Sequence, residues 1–199
     1  MSNLLTKIRR LLLQIAYPIT RFIGKIHLPW SQKKLKSNHY RKVVSLLQPG
    51  DVLLLRTDGE IANMFIPGYW THAAMFCGGD YVVEAVGEGV LNTDMLDTIL
   101  TRDAVMICRP SFATEEQRCD AAEWAKAQIG KGYDLFFNPN NDAFYCSELI
   151  WLAYERTMGA IPFTLRQTLG VDTVVPEDIA KARDKWDRIY NSKLQFKAA

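Results

Sequence analysis

A cysteine and a histidine stand in this chain in settings that favour acyl-transfer chemistry. The cysteine lies in Asn141-Asp142-Ala143-Phe144-Tyr145-Cys146-Ser147-Glu148-Leu149-Ile150-Trp151. Apolar residues recur at Leu149, Ile150, Ala153 and Met158, about the spacing of one helical face. The Asn- and Asp-rich stretch from Asn138 to Asp142 favours the turns and caps that precede a helix. The pattern therefore predicts a helix that begins at Cys146. In a first turn, the positive end of the helix dipole and the free N–H groups stabilise a thiolate. Thiolate is the reactive form of cysteine, and the same N–H groups can hold an oxyanion. The competing reading is a small buried hydrophobe.

A thiol nucleophile needs a base, and His72 is the candidate. It lies in Trp70-Thr71-His72-Ala73-Ala74-Met75-Phe76-Cys77, ahead of Gly78-Gly79-Asp80 and Tyr81-Val82-Val83-Glu84-Ala85-Val86. Two apolar runs around a Gly-rich break predict a β-hairpin. With a three-residue loop, Cys77 faces Tyr81, and His72 and Glu84 project from one face, diagonal to each other. A two-residue Gly78-Gly79 turn would put them on opposite faces. Taken alone, His72 also reads as a satisfied strand histidine. A carboxylate inside Val-Val-Glu-Ala-Val is harder to place without a partner, because burying an unpaired charge is costly.

Three stretches carry a family resemblance: Thr71-His72-Ala73-Ala74-Met75-Phe76, Val82-Val83-Glu84-Ala85-Val86-Gly87-Glu88-Gly89-Val90, and Tyr145-Cys146-Ser147-Glu148-Leu149-Ile150-Trp151. Together they resemble the permuted papain-like cysteine hydrolases of the NlpC superfamily, and within them the YiiX/YebB-like group. The resemblance covers roughly residues 48–179. Papain-like enzymes usually place Cys before His; this group, like this chain, places His first. The resemblance implies Cys146 as nucleophile, His72 as base and Glu84 as the residue that orients the imidazole. It implies hydrolysis of an amide in a peptide or acylated substrate, whether a peptide, isopeptide or N-acyl bond. Two alternatives stand beside it: a lipid acyl hydrolase or acyltransferase at a membrane surface, and a catalytically inactive membrane-associated scaffold. Tyr133 with Asp134 resembles a Tyr-Asp step often found before the Cys loop in the family. Tyr133, Tyr145 and Trp70 are the candidate substrate-binding residues, although a structural hydroxyl is the favoured reading for either tyrosine.

The 199 residues, 48% of them hydrophobic, are enough for one well-buried domain. The four cysteines, Cys77, Cys108, Cys119 and Cys146, form no CxxC pair. Free thiols and a reducing, cytoplasmic compartment are the simpler reading. His27, His39 and His72 are far apart, and no ligand cluster for a structural metal is visible. No cofactor is expected, since thiol acyl transfer needs none.

The net charge of +2 hides an asymmetry. Residues 1–50 hold ten Lys or Arg and no Asp or Glu, so all 22 acidic residues lie in the remainder. This reads as a basic arm and linker over residues 1–38 on an acidic catalytic domain over residues 39–199. In the arm, Leu4, Ile8, Leu11, Leu12, Ile15 and Ile19 share a helical face, with Lys7, Arg9 and Arg10 mostly away from it. The longest uncharged run is too short to span a bilayer. Residues 1–26 are expected to bind an anionic membrane surface peripherally, on the inner membrane face, or to pack on the domain. Nucleic acid is not expected, because no aromatic interleaving or recognisable module is present.

Strands cluster in the middle of the chain, with helices before and after. The expected fold is α+β: a small antiparallel sheet with the nucleophile-bearing helix packed on it, circularly permuted papain-like by the resemblance. Further expected elements are a short helix Tyr40 to Leu47 and a buried strand Asp51 to Arg56. A long connection, Thr57 to Trp70, follows, and its apolar Met64, Phe65, Ile66, Tyr69 and Trp70 either line a groove or plug the core. A helix Asp94 to Leu100 and a strand Ala104 to Arg109 come next. Thr114 to Gln117 has the form of a capping box that starts a helix to Ile129. Finally, Pro176 opens a helix with a stripe of Ile179, Ala182, Trp186 and Ile189.

Overall fold

The computed structural model describes residues 33–60, 63, 66–135, 141–159, 165–168 and 171–195. The arm at residues 1–26, Met64 and Phe65 of the long connection, and Asn138 to Asn140 ahead of the Cys helix lie outside the described residues. In chain order the elements are α1 (Ser37–Val44), β1 (Val52–Arg56), β2 (His72–Phe76), β3 (Tyr81–Val86), β4 (Gly89–Asp94), α2 (Met95–Leu100) and β5 (Ala104–Pro110). There follow α3 (Glu115–Lys126), β6 (Gly132–Tyr133), β7 (Ala143–Phe144) and α4 (Cys146–Met158). The last are β8 (Arg166–Thr168), β9 (Val171–Thr173), α5 (Pro176–Lys181), β10 (Trp186–Asn191) and α6 (Ser192–Gln195).

Six strands form one antiparallel sheet in the order β10-β5-β1-β2-β3-β4. The run Val52-Leu53-Leu54-Leu55 is apolar throughout because β1 is central and covered on both faces; all four side chains are fully buried. One layer packs Val52, Leu54, Ala73, Met75, Val83 and Ala85 against Ala121, Ala122 and Ala125 of α3 and Leu149, Ile150 and Ala153 of α4. The other packs Leu53, Leu55, Ala74, Phe76 and Val82 against Leu35, Val43, Met95 and Ile99. Each fully buried Leu contributes about 1.5–3 kcal/mol relative to exposure. Packing already includes Leu35, two residues ahead of α1. The architecture is α+β, as the clustering of strands implied.

The β2–β3 hairpin has the register of a three-residue Gly78–Asp80 loop: Ala74 pairs with Glu84, Met75 with Val83 and Phe76 with Val82. The capping box at α3 is present, with Thr114 Oγ1 accepting from Gln117 N–H and Gln117 Oε1 accepting from Thr114 N–H. Asp94 caps α2 by accepting from the Leu96 and Asp97 N–H groups.

Three expectations fail. The helix capped by Thr114 ends at Lys126 rather than Ile129. The first helix begins three residues earlier, at Ser37, and ends at Val44 rather than Leu47. The chain after Pro176 is helical only to Lys181, and Trp186 and Ile189 belong to a strand on the sheet edge. The i, i+4 spacing of Trp186 and Tyr190 suits a helix, but a bulge hides a second explanation. Arg188 pairs with Cys108 and Tyr190 with Ile107, leaving Ile189 unmatched and turning Tyr190 to the other face. Trp186 then fills the first layer edge-on to Phe112 and Tyr154, and Tyr190 fills the second.

Asp51, fully buried at the start of β1, is gripped by Arg109 through Nε at 2.8 Å and Nη2 at 2.7 Å. Replacing Arg109 by Met strands that carboxylate, and the Gln48 N–H alone does not compensate. Arg109→Met is expected to lower unfolding free energy by about 3 kcal/mol. Urea denaturation measures this, and a loss below about 1 kcal/mol would show the pair to behave like a surface bridge.

Candidate active site

His72 opens β2, and Cys146 opens α4. By strand alternation His72 belongs to the face of Ala74 and Phe76, whereas α4 packs against the face of Ala73 and Met75. The two side chains meet because each is the first residue of its element, at the end of the sheet. There each is a strong electrostatic partner of the other. His72 Nε2 lies 2.6 Å from Glu84 Oε2, which leaves Nδ1 for the sulfur. The His72 side chain is 16% exposed and that of Glu84 is 4% exposed. Cys146, His72 and Glu84 thus lie in sequence from the helix start to the middle of β3, with His72 hydrogen-bonded to Glu84.

Cys146 is held from both sides through the backbone of Val174. Ser147 Oγ donates to the Val174 carbonyl at 2.7 Å, and Val174 N–H donates to the Tyr145 hydroxyl at 3.3 Å. The helix start is capped from within. Glu148 Oε2 accepts from Tyr145 N–H at 3.2 Å, and Tyr145 rather than Asn141 or Asp142 occupies the N-cap position. Cys146 and Ser147, the first helical residues, carry N–H groups with no intrahelical acceptor.

His72 is positioned by the loop before it. Tyr69 N–H and Trp70 N–H both donate to Glu177 Oε2 of α5, at 2.9 and 3.1 Å. Gly68, with φ +108°, passes so close that an added Cβ would lie 2.4 Å from the Glu177 Cβ. Only glycine satisfies both the left-handed backbone and that approach. Thr71 N–H then joins the Leu55 carbonyl at 3.2 Å and starts the pairing of β2.

The electrostatics favour charge separation. Burial pushes the Cys146 thiol up, but the His72 hydrogen bond and charge, with the Ala73 N–H aimed at the sulfur, bring it below its ordinary value. For His72, burial acts downward and is outweighed by hydrogen bonds to Cys146 and Glu84, which raise it to about 9. For Glu84, burial acts upward and is outweighed by the His72 hydrogen bond and charge, with Thr93 and Arg102 assisting, so it falls to about 2. The stability supplied by ionised Glu84 is therefore complete above its ordinary 4.5 and is lost as pH falls through about 2. That supplied by protonated His72 is complete below its ordinary 6.5 and is lost as pH rises through about 9. Buried Cys77 and Cys108 have no such partner, and desolvation pushes each up to about 12. Glu148 is pushed up to about 8 by burial and by the nearby charge of Asp134.

The other sequence candidates are placed as follows. Tyr145 is buried, with its hydroxyl on Val174. Trp70, also buried, lies edge-on to Tyr69. Tyr133, half-buried in β6, pairs with Phe144 two residues before Cys146. Sequence reading missed Glu177, Val174, Arg102 and Thr93, which reach the site only through tertiary contacts. The N3 position of Glu148 was visible and went unused.

Glu84 engages His72 Nε2, and among the described residues no group of three or more His, Cys, Asp or Glu converges as a metal site.

A family model described as a permuted papain-like amidase enzyme, YaeF/YiiX, C92 family, matches residues 46–193. The uncharacterized protein YiiX of Escherichia coli (strain K12) is 30% identical over 73 residues, covering 37% of this chain and 36% of that protein. The chain thus matches little more than a third of this curated relative in sequence. The crystal structure of metalloprotein yiiX from Escherichia coli O157:H7 superposes with a TM-score of 0.63 at 21% identity, covering 73% of this chain and 97% of that one. At that identity the likeness shows the fold alone.

Two readouts test the electrostatics. Iodoacetamide alkylation of Cys146, followed by peptide mass spectrometry, is expected to continue to lower pH than that of free glutathione under the same conditions. It should change again near pH 9 as His72 loses its proton. A Cys146 profile that follows the ordinary thiol range would refute the ion pair.

Proposed function

The chain belongs to the permuted papain-like amidase family, enzymes of the thiol hydrolase type, and on that premise we propose that it cleaves an amide through a Cys146–His72–Glu84 thioester mechanism. The observation that carries the proposal is the buried His72–Glu84 pair at 2.6 Å with Cys146 as the imidazole's other electrostatic partner. The Cys146 thiolate attacks the carbonyl carbon, forming the C–S bond and moving the carbonyl electron pair to oxygen. The N–H groups of Cys146 and Ser147 face the developing oxyanion. Protonated His72 gives its proton to the leaving nitrogen as the C–N bond breaks. Neutral His72 then takes a proton from water, which attacks the thioester, and the thiolate leaves with the acid product. Glu84 fixes the imidazole orientation and stabilises its charged form.

The scissile bond is a peptide, isopeptide or N-acyl amide. Comparison of wild type with Cys146→Ala against a panel of acylated amines and peptides tests this. Turnover should be abolished by Cys146→Ala. Glu84→Gln should keep the fold and cost about 10²-fold in kcat/KM; unchanged turnover would remove Glu84 from the mechanism.

Residues 1–26 lie outside the described residues, and among those described no helix is long and apolar enough to cross a membrane. The basic amphipathic pattern supports peripheral attachment to an anionic surface. Lys7, Arg9, Arg10, Arg21 and Lys25 each supply attraction of about 1 kcal/mol there. The full chain should co-sediment with phosphatidylserine-containing vesicles, less so as salt rises, and a chain lacking residues 1–26 should not. Equal behaviour of the two would exclude the anchor.

A further inference from the structure

Glu84 has a second cationic neighbour besides His72. Arg102, just past α2, places Nη2 4.0 Å from Glu84 Oε2. Its Nη1 donates to Thr57 Oγ1 at 3.1 Å and lies 3.9 Å from Glu60 Oε1. Its backbone is fixed as well: its N–H donates to the Ile99 carbonyl and its carbonyl accepts from Leu35 N–H. The guanidinium Nε is buried and has no hydrogen-bond partner among the described residues. A buried donor left unsatisfied is a cost, and a fold retains such a cost where the charge is needed.

A count of charges says why it is needed. The thiolate and imidazolium cancel, so with ionised Glu84 the reactive site carries one net negative charge in a poorly hydrated place. We propose that Arg102 is a positioning residue for the reaction: standing behind Glu84, its fixed positive charge neutralises the site and keeps the carboxylate ionised, holding the thiolate–imidazolium pair together. The proposal rests on the Cys–His–Glu reading and extends the three-residue chain to four.

Among the described residues, the surrounding groups do not supply that charge in another way. From β2, Glu84 meets His72, and from β4 the Thr93 hydroxyl, which is neutral. Behind Arg102, the carboxylate of Asp103 is occupied by the Lys34 and Asp58 N–H groups and lies 3.6 Å from Lys33 Nζ. Asp58 is paired with Lys34 and Arg56. Glu60 competes for Arg102 at a similar distance, but its side chain is 20% exposed against 4% for Glu84. Water therefore screens Glu60 more, and the deeper carboxylate depends more on the guanidinium. The lowered pKa of Glu84, to which Arg102 contributes, agrees with this.

The test uses the full chain and needs no substrate. The rate of Cys146 alkylation by iodoacetamide is followed against pH in wild type, Arg102→Gln and Arg102→Lys, with thermal unfolding as the check on folding. Removal of a positive charge favours every protonated form. Arg102→Gln should therefore move both the thiolate limb and the imidazolium limb upward, by about one pH unit. Arg102→Lys keeps the charge and should retain the wild-type limbs. A folded Arg102→Gln with wild-type limbs overturns the proposal. So does an Arg102→Lys shift equal to that of Arg102→Gln, which would assign the effect to the lost Thr57 hydrogen bond. Should Arg102→Gln fail to fold, wild-type NMR decides: the Arg102 guanidinium 15N resonances should move when alkylation removes the Cys146 charge, and unmoved resonances overturn the idea. A wild-type Cys146 with an ordinary thiol limb would instead sink the Cys–His–Glu reading, and this proposal with it.

Discussion

A carboxylate cannot stay ionised inside an apolar strand unless something charged meets it, and Glu84 in β3 is such a carboxylate. His72 meets it at 2.6 Å. That contact fixes which imidazole nitrogen is free and where it points, and it makes protonation of the ring favourable. The thiol of Cys146 then loses its proton to a base whose positive form is already stabilised. Each charge makes the next one affordable, so the reactive pair is a property of the whole chain of contacts and not of the cysteine alone. Cys77 and Cys108, equally buried but without an imidazole, are pushed far the other way.

The contact demands that three separate elements arrive in register. The hairpin delivers Glu84 and His72 to one face because the Gly78–Asp80 loop sets the pairing. The helix delivers Cys146 across the end of the sheet, past the strand alternation that would otherwise separate the faces. Neither is self-sufficient. Val174 holds the residues on both sides of Cys146, and Glu177 holds the loop ahead of His72. Both holders come from the last part of the chain, just before and within α5. The segment that follows closes the sheet edge with β10, so the C-terminal region ties site and scaffold together.

Much of this was legible because it is local. The start of α4 at Cys146, the hairpin register, the buried run of β1 and the capping box of α3 each depend on residues within a few positions of one another. Periodicity, loop length and capping chemistry determine them. The misreadings have the same root. A stripe at i, i+4 intervals cannot distinguish a helix from a bulged strand, and the free edge of β5 makes Trp186–Asn191 a strand. The upstream Asn and Asp promised a cap that Glu148, from inside the helix, supplies instead.

By itself, the sequence determined that His72 and Glu84 share one face and that a charged Glu84 needed a partner, since hairpin geometry links positions 72 and 84 through a short loop. It could not determine what lies behind or beside them. Glu177 meets Tyr69 from 108 residues away, and Arg102 reaches Glu84 from beyond another strand and helix. Such contacts have no period and no spacing. They exist only after burial has brought distant backbone together, because a buried charge or an unpaired N–H is satisfied by whatever the packed chain places near it.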